Sequence, residues 1–296
     1  MSKVEDHTAL PAGRDIPILL LGILGIGTSG PLIAKSTMPV PTLVFWRNLA
    51  GSIIMTPFAL RKREWKSPAQ RRALKVAAIS GVFLALHFIG FFLAMRFTSV
   101  AAGTALTALQ PIFSAIYIRA KGGHIARLSL FGMFVAFASV FIITGVDLRL
   151  SLRAFEGDIF AIVCAALAAI YVLIGSKVQE EISTSTYTSI CYGACAITVL
   201  PIIFLSGSTL IAFPKVQWLW LALLVLGAQL LGHTMFNLSL KRLSPVVVSL
   251  IVFFEVPVAA VFAYFWLHQK PSAGIIPGVL GILLGCSIFV LGRNRT

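Results

Sequence analysis

Long apolar runs without charged residues dominate the chain. Eight runs contain no Asp, Glu, Lys or Arg, and two more are each interrupted by one ionisable residue, Arg47 or Glu255. A helix that crosses the hydrocarbon core of a bilayer needs about 20 mostly apolar residues. The ten predicted spans are 16–34, 36–60, 76–95, 97–118, 128–146, 159–176, 182–214, 216–240, 243–269 and 271–292. Polar flanks shorten the 182–214 run to one helix, and continuous apolar runs favour helices over the alternating strands of a membrane barrel.

Composition indicates the same class of protein. The apolar residues AVILMFWYC make up 58% of the chain and the charged residues DEKR only 11%, whereas soluble domains carry about 25% charged residues. This excludes a soluble enzyme, a disordered chain and a disulfide-built secreted domain. The four cysteines fall inside predicted spans and are interpreted as small apolar packing residues. The sequence therefore predicts an all-α integral membrane protein with ten transmembrane helices.

The positive charges predict the orientation. The net charge is +14, and Lys and Arg on the N-terminal side of the membrane outnumber those on the opposite side by 17 to 6. Cytoplasmic loops carry such an excess, so both termini are predicted to be cytoplasmic, in a plasma membrane. The basic loop 61–75 follows this bias and suits contact with anionic lipid headgroups. We therefore expect membrane lipid, and no nucleic acid, as a partner.

The two halves of the chain match each other at a shift of 146 residues. Segment 86–113 lies over segment 232–259, so that His87 matches His233. Each copy contains five spans, an odd number, so the second copy enters the bilayer from the opposite face. Such inverted repeats can open a midplane cavity to each side in turn. The predicted organisation is a cytoplasmic tail 1–15, a first repeat 16–146, an extracytoplasmic linker 147–157, a second repeat 158–292 and a cytoplasmic tail 293–296.

Four segments carry a resemblance to a known family. They are VPTLVFWRNLAGSIIMTP (40–57), MRFTSVAAGTALTALQP (95–111), GDIFAIVCAALAAIYVL (157–173) and SPVVVSLIVFFEVPVAAVFAYFWLHQKPSAGIIPGVLGILLG (244–285). In this order they resemble the drug/metabolite transporter superfamily and, within it, the ten-helix EamA family. The resemblance covers about 16–292 and implies a secondary transporter, since members of the family export amino acids or other small metabolites.

Ionisable side chains near the bilayer centre are costly and are therefore informative. Glu255 lies close to the predicted midplane, where it could bind a substrate amino group or exchange a proton; the alternative is a buried acid that holds helices together. Arg47 matches an arginine common in the family and could bind a substrate carboxylate. Its alternatives are a side chain that snorkels to the interface or pairs with carbonyls at a helix end.

Polar residues recur on two of the predicted helices. Gln229, His233 and Asn237 follow at i, i+4 and i+8, which predicts one polar stripe on the span 216–240. Thr104 and Thr107 lie three apart on the span 97–118. The predicted substrate-binding residues are Glu255, His233, Gln229, Asn237, His87, Arg47, Thr104 and Thr107. Neither histidine has metal-ligand spacing, so we expect no metal and no cofactor; coupling to protons stays open.

These observations predict a secondary active transporter, not an enzyme. It would export a small organic solute such as an amino acid by alternating access. Two alternatives stay open: an intramembrane enzyme that acts on a lipid-linked substrate with His87 or His233 as base, and an uncoupled facilitator. A monomer is favoured, although the sequence does not determine the oligomeric state.

Overall fold

The computed structural model describes residues 16–120, 122, 126–239 and 252–293, and within these ranges the regular secondary structure is entirely helical. The helices are α1 (Ile16–Gly27), α2 (Ser29–Lys35), α3 (Val40–Lys62), α4 (Pro68–Phe97), α5 (Val100–Thr107), α6 (Gln110–Ala120), α7 (Arg127–Leu150), α8 (Leu152–Val178), α9 (Thr184–Leu205), α10 (Lys215–Leu224), a π-helix (Val225–Thr234), α11 (Met235–Ser239), α12 (Glu255–Leu267) and α13 (Ile276–Arg293).

These helices form ten apolar segments in the predicted order. Eight are long and apolar enough to cross a bilayer within the described residues. Three of the eight are composite: α1 with α2, α5 with α6, and α10 with the π-helix and α11. The remaining two segments are the shorter apolar helices α12 and α13. The all-α, ten-helix architecture predicted from hydropathy is therefore confirmed.

Several helices extend beyond the charge-free runs. Ser67 caps α4 through a reciprocal pair of hydrogen bonds with Gln70, so this helix begins eight residues before the apolar run at 76. The predicted linker 147–157 is almost entirely helical. The helix α7 continues to Leu150, α8 begins at Leu152, and only Ser151 between them is non-helical. Charged residues end a hydrophobic run without ending the helix, since a helix can project past the hydrocarbon.

Small residues bring α7 and α13 into direct backbone contact. A Cβ added to Gly132 would lie 2.3 Å from the Phe289 backbone nitrogen, and one added to Gly285 would lie 2.5 Å from the Ala136 backbone nitrogen. Small residues allow such close approach between membrane helices. Gly285 of the last helix therefore packs against α7 within the chain.

Hydrogen bonds connect the two halves at both ends of the bundle. At one end, the Gln217 side-chain oxygen accepts from the Thr37 backbone N–H at 2.9 Å. At the other end, the Ser183 backbone N–H and hydroxyl donate to Glu64 Oε2 at 2.9 and 2.7 Å. The halves are thus held together above and below the region where the polar side chains of the membrane interior converge.

Candidate functional site

Three helix interruptions surround one internal cavity. They fall at Thr28 between α1 and α2, at Ala108–Leu109 between α5 and α6, and at Phe253–Phe254 before α12. Pro111 and Pro257 follow the second and third interruptions at matching places in the two halves, and proline lacks the N–H that would continue the hydrogen-bond ladder. Backbone that is broken at membrane depth is tolerated where it is buried in protein or lines a cavity.

The cavity has a volume of about 100 Å³ and takes its walls from both halves of the chain. Aromatic side chains, including Phe91, Phe236 and Phe253, form much of the apolar surface. Six of the eight residues proposed from the sequence line the cavity: His87, Thr104, Thr107, His233, Asn237 and Glu255. The structure therefore gathers these six around one space, although they come from four different helical segments.

The position of His87 is determined by its neighbours. Its Nδ1 lies 2.9 Å from the backbone oxygen of Cys164, and its ring stacks on Phe91 with ring centroids 6.0 Å apart. A carbonyl oxygen can only accept, so Nδ1 carries the proton and Nε2 of the neutral ring remains an acceptor. His87 therefore presents a basic nitrogen on an otherwise aromatic wall.

Asn237 meets a residue that the sequence argument missed. Its side-chain nitrogen donates to the Tyr171 hydroxyl oxygen at 2.9 Å, and both residues line the cavity. The Tyr171 ring stacks in turn on Tyr187, whose hydroxyl lies 2.8 Å from Ser80 Oγ. The available signal was one polar-tipped aromatic residue among the apolar residues of α8.

Arg47 and Gln229 lie behind the cavity wall. Arg47 Nε donates to Gln229 Oε1 at 2.6 Å, and the Gln229 side-chain nitrogen donates to Asn48 Oδ1 at 3.2 Å. The guanidinium lies over the ring of Phe88, 4.2 Å from its centroid. Both terminal guanidinium nitrogens are buried and have no hydrogen-bond partner among the described residues. Arg47 is fully buried and so does not snorkel, and no carbonyl at a helix end accepts from its guanidinium within the residues that the structure describes.

The three polar residues of the predicted stripe face two neighbouring parts of the bundle interior. Gln229 and His233 lie in the π-helix, whose backbone hydrogen bonds run from i to i+5, and Asn237 lies in α11. Gln229 faces Arg47, while His233 and Asn237 line the cavity. Two of the three members of the stripe therefore reach the cavity.

The rings of Phe88 and His233 lie between Arg47 and the cavity. The Phe88 ring meets the His233 ring edge-on, with centroids 5.1 Å apart, while the Arg47 guanidinium covers Phe88. Arg47 interacts electrostatically with Glu255 and with both histidines. Such interactions are strong in a low-dielectric interior. The positive charge of Arg47 therefore acts on the cavity without lining it.

Comparison with known sequences identifies the family. The model of the EamA-like transporter family matches residues 15–145 and, a second time, residues 155–291. The chain belongs to the EamA-like transporter family. It is therefore a multi-pass membrane transporter of the drug/metabolite transporter superfamily, and the resemblance found in the sequence is confirmed. The matched copies contain five apolar segments each.

Similar proteins include transporters from archaea and bacteria. An uncharacterized transporter of Archaeoglobus fulgidus is 27% identical over 235 residues, which cover 78% of this chain and 80% of that protein. The uncharacterized transporter YyaM of Bacillus subtilis is 24% identical over 268 residues, which cover 85% and 86%. A crystal structure that is 16% identical matches with a TM-score of 0.65 over 95% of this chain and 98% of the other. That last likeness shows the fold alone.

Proposed function

We propose that this EamA transporter exports a small organic metabolite, such as an amino acid, by alternating access between its two copies. The main support for this proposal is the cavity, which both copies line and which three helix interruptions surround. Transporters built from inverted repeats bind substrate at the repeat interface, among discontinuous helices. The cavity is smaller than the roughly 300–1,000 Å³ of drug-binding pockets, which favours a solute of metabolite size.

The cavity chemistry suggests the class of solute. Glu255 supplies a carboxyl group that can bind an amino group, and aromatic walls that include Phe91 and Phe253 suit an apolar part of the solute. His87 and Asn237 offer uncharged polar contacts. Arg47 provides a buried positive charge behind the wall, which favours a solute carrying a carboxylate as well as an amine. An amphipathic amino acid meets all of these features.

Two hydroxyl groups of the cavity support transport over enzymatic chemistry. Thr104 Oγ1 donates to the Val100 carbonyl at 2.7 Å, and Thr107 Oγ1 donates to the Gly103 carbonyl at 2.8 Å. A hydroxyl whose proton is held by its own helix is a poor nucleophile, since a nucleophile needs a base that takes that proton.

The same proposal includes cytoplasmic termini in a plasma membrane, supported by the asymmetry of Lys and Arg.

The test is substrate counterflow in proteoliposomes. Vesicles that contain the purified protein are loaded with one unlabelled amino acid or amine at a time, and uptake of the same labelled compound is followed. We expect accumulation for at least one amino acid and a loss of at least tenfold in Glu255→Gln. Glu180→Gln, at an exposed position outside the cavity, is the matched control and should transport normally. Absence of counterflow for every compound would refute the proposal, and full activity of Glu255→Gln would remove Glu255 from the site.

A further inference from the structure

A second group of buried polar side chains lies away from the cavity, where the two EamA copies join. Asp147 is in the last turn of α7, Asp158 is in α8, and Thr98 follows the end of α4. Asp147 is 3% exposed and Asp158 is 0% exposed. Asp147 follows the first family match and Asp158 lies within the second, so the two acids come from different sides of the junction.

Close backbone packing places these groups together. A Cβ added to Gly157, the residue before Asp158, would lie 2.7 Å from the Thr98 backbone nitrogen. Since α8 approaches the end of α4 this closely, the Asp158 carboxyl faces both the Asp147 carboxyl and the Thr98 hydroxyl. The arrangement therefore follows from a glycine at the contact and does not depend on a flexible loop.

The hydrogen bonds available to the two carboxyl groups are too few for two ionised acids. The Thr98 hydroxyl donates to Asp147 Oδ2 at 2.8 Å, and one hydroxyl has a single proton to donate. Both carboxyl oxygens of Asp158 are buried and have no hydrogen-bond donor among the described residues. A buried carboxylate without donors is strongly unfavourable.

The nearby cationic side chains are engaged elsewhere. The Arg96 guanidinium on α4 donates to the backbone oxygens of Ser36 and Met38. The Arg153 guanidinium on α8 lies over the ring of Phe97, 4.7 Å from its centroid. The other charged groups at this end are exposed, and α5 has no ionisable residue; they are Lys35 on α2, Arg149 on α7, Glu156 on α8, Lys215 on α10 and Lys270 before α13. Within the part of the chain that the structure describes, no cation is hydrogen-bonded to Asp147 or Asp158.

Two adjacent buried carboxyl groups cannot both ionise without a compensating cation. A proton held between them removes one charge and creates a strong O–H···O⁻ hydrogen bond. We propose that Asp147 and Asp158 form a proton-binding site that holds a single proton between the two EamA copies. The proton joins the copies in this conformation, and separation of the carboxyl groups would allow it to leave. Only the coupling of this proton to solute movement rests on the proposed function.

Infrared spectroscopy of the purified protein tests the site without any substrate. A protonated carboxylic acid has a C=O stretching band that is distinct from carboxylate bands and shifts in D₂O. We expect such a band in the wild type at neutral pH and its loss in both Asp158→Asn and Asp147→Asn. The exposed neighbour Glu156→Gln should keep the band, and Glu255→Gln identifies any contribution from the cavity acid.

Each outcome decides the proposal. A carboxylic acid band that remains unchanged in both Asn variants would overturn it. If the variants do not fold, ¹³C labelling of the aspartate carboxyl groups in the wild type replaces them. The band must then shift with the label, and a band that does not shift overturns the proposal in the same way. Counterflow is measured separately, so failure of transport and failure of proton binding can be told apart.

Discussion

Replacing Gly132 by alanine should force α7 and α13 apart. The new Cβ would lie 2.3 Å from the Phe289 backbone nitrogen and 2.5 Å from the Gly285 backbone oxygen. Nonbonded contacts of carbon are favourable at about 3.5 Å, so the helix axes must separate by about 1 Å. The atoms in the way belong to the backbone, so no side-chain rotation can relieve the clash.

The expected loss of stability is about 1–2 kcal/mol. Overpacking a close contact costs about 1–3 kcal/mol, and we place Gly132→Ala in the upper part of that range because rigid backbone opposes it from two sides. Alanine is a better helix former than glycine by about 1 kcal/mol, which offsets part of the loss.

A matched control lies on the same helix. A Cβ added to Gly145 of α7 would meet nothing within 4 Å, so Gly145→Ala should be neutral or stabilising by up to about 1 kcal/mol. The measurement is the free energy of unfolding in mixed detergent micelles, followed by circular dichroism for the wild type and both variants. Equal stabilities for Gly132→Ala and Gly145→Ala would show that the close approach of α7 and α13 does not limit stability.

Three further results are expected. Arg47→Lys should lower the free energy of unfolding by about 1.5–3 kcal/mol in the same assay, because lysine replaces neither the Nε hydrogen bond to Gln229 nor the planar contact with Phe88. The control Arg153→Lys, at an exposed position, should lose less than about 1 kcal/mol. Equal losses of stability in the two variants would contradict the buried pairing of Arg47. Tyr171→Phe should weaken counterflow severalfold and lower the free energy of unfolding by about 1–3 kcal/mol, since it removes the buried hydroxyl that accepts from Asn237. Normal transport would exclude this contact from the site. The free, buried thiols at Cys164, Cys191, Cys195 and Cys286 should react with a maleimide only after denaturation, and rapid labelling of the native protein, measured by mass spectrometry, would contradict their burial.

The sequence by itself determined the architecture because bilayer insertion depends on local properties. Each run must be long and apolar enough to cross the hydrocarbon, and this can be read without knowing which helices touch. The ten segments, their order and their division into two five-helix copies follow from hydropathy and from the internal match. Hydropathy did not give the helix ends correctly. Residues 147–157 are helical on both sides of Ser151, because charge marks the edge of the membrane and not the end of a helix.

The site could be predicted only in part, because the neighbours of each side chain depend on how the helices pack against one another. Residues chosen for their cost in a membrane do cluster, and Glu255, His87 and His233 share one cavity. Gln229, however, faces Arg47 behind the cavity wall, and the spacing of residues along one helix does not show which neighbour each side chain meets.

Tertiary packing alone decided which distant residues became neighbours. Asp147 and Asp158 look like ordinary residues at helix ends in the sequence, and the sequence does not show which residue the Tyr171 hydroxyl meets. The close approach at Gly157 brings the first pair together against Thr98, and the packing of α8 brings Tyr171 to Asn237. A hydropathy pattern records how each residue is solvated, whereas these contacts depend on distances between helices that the pattern does not contain.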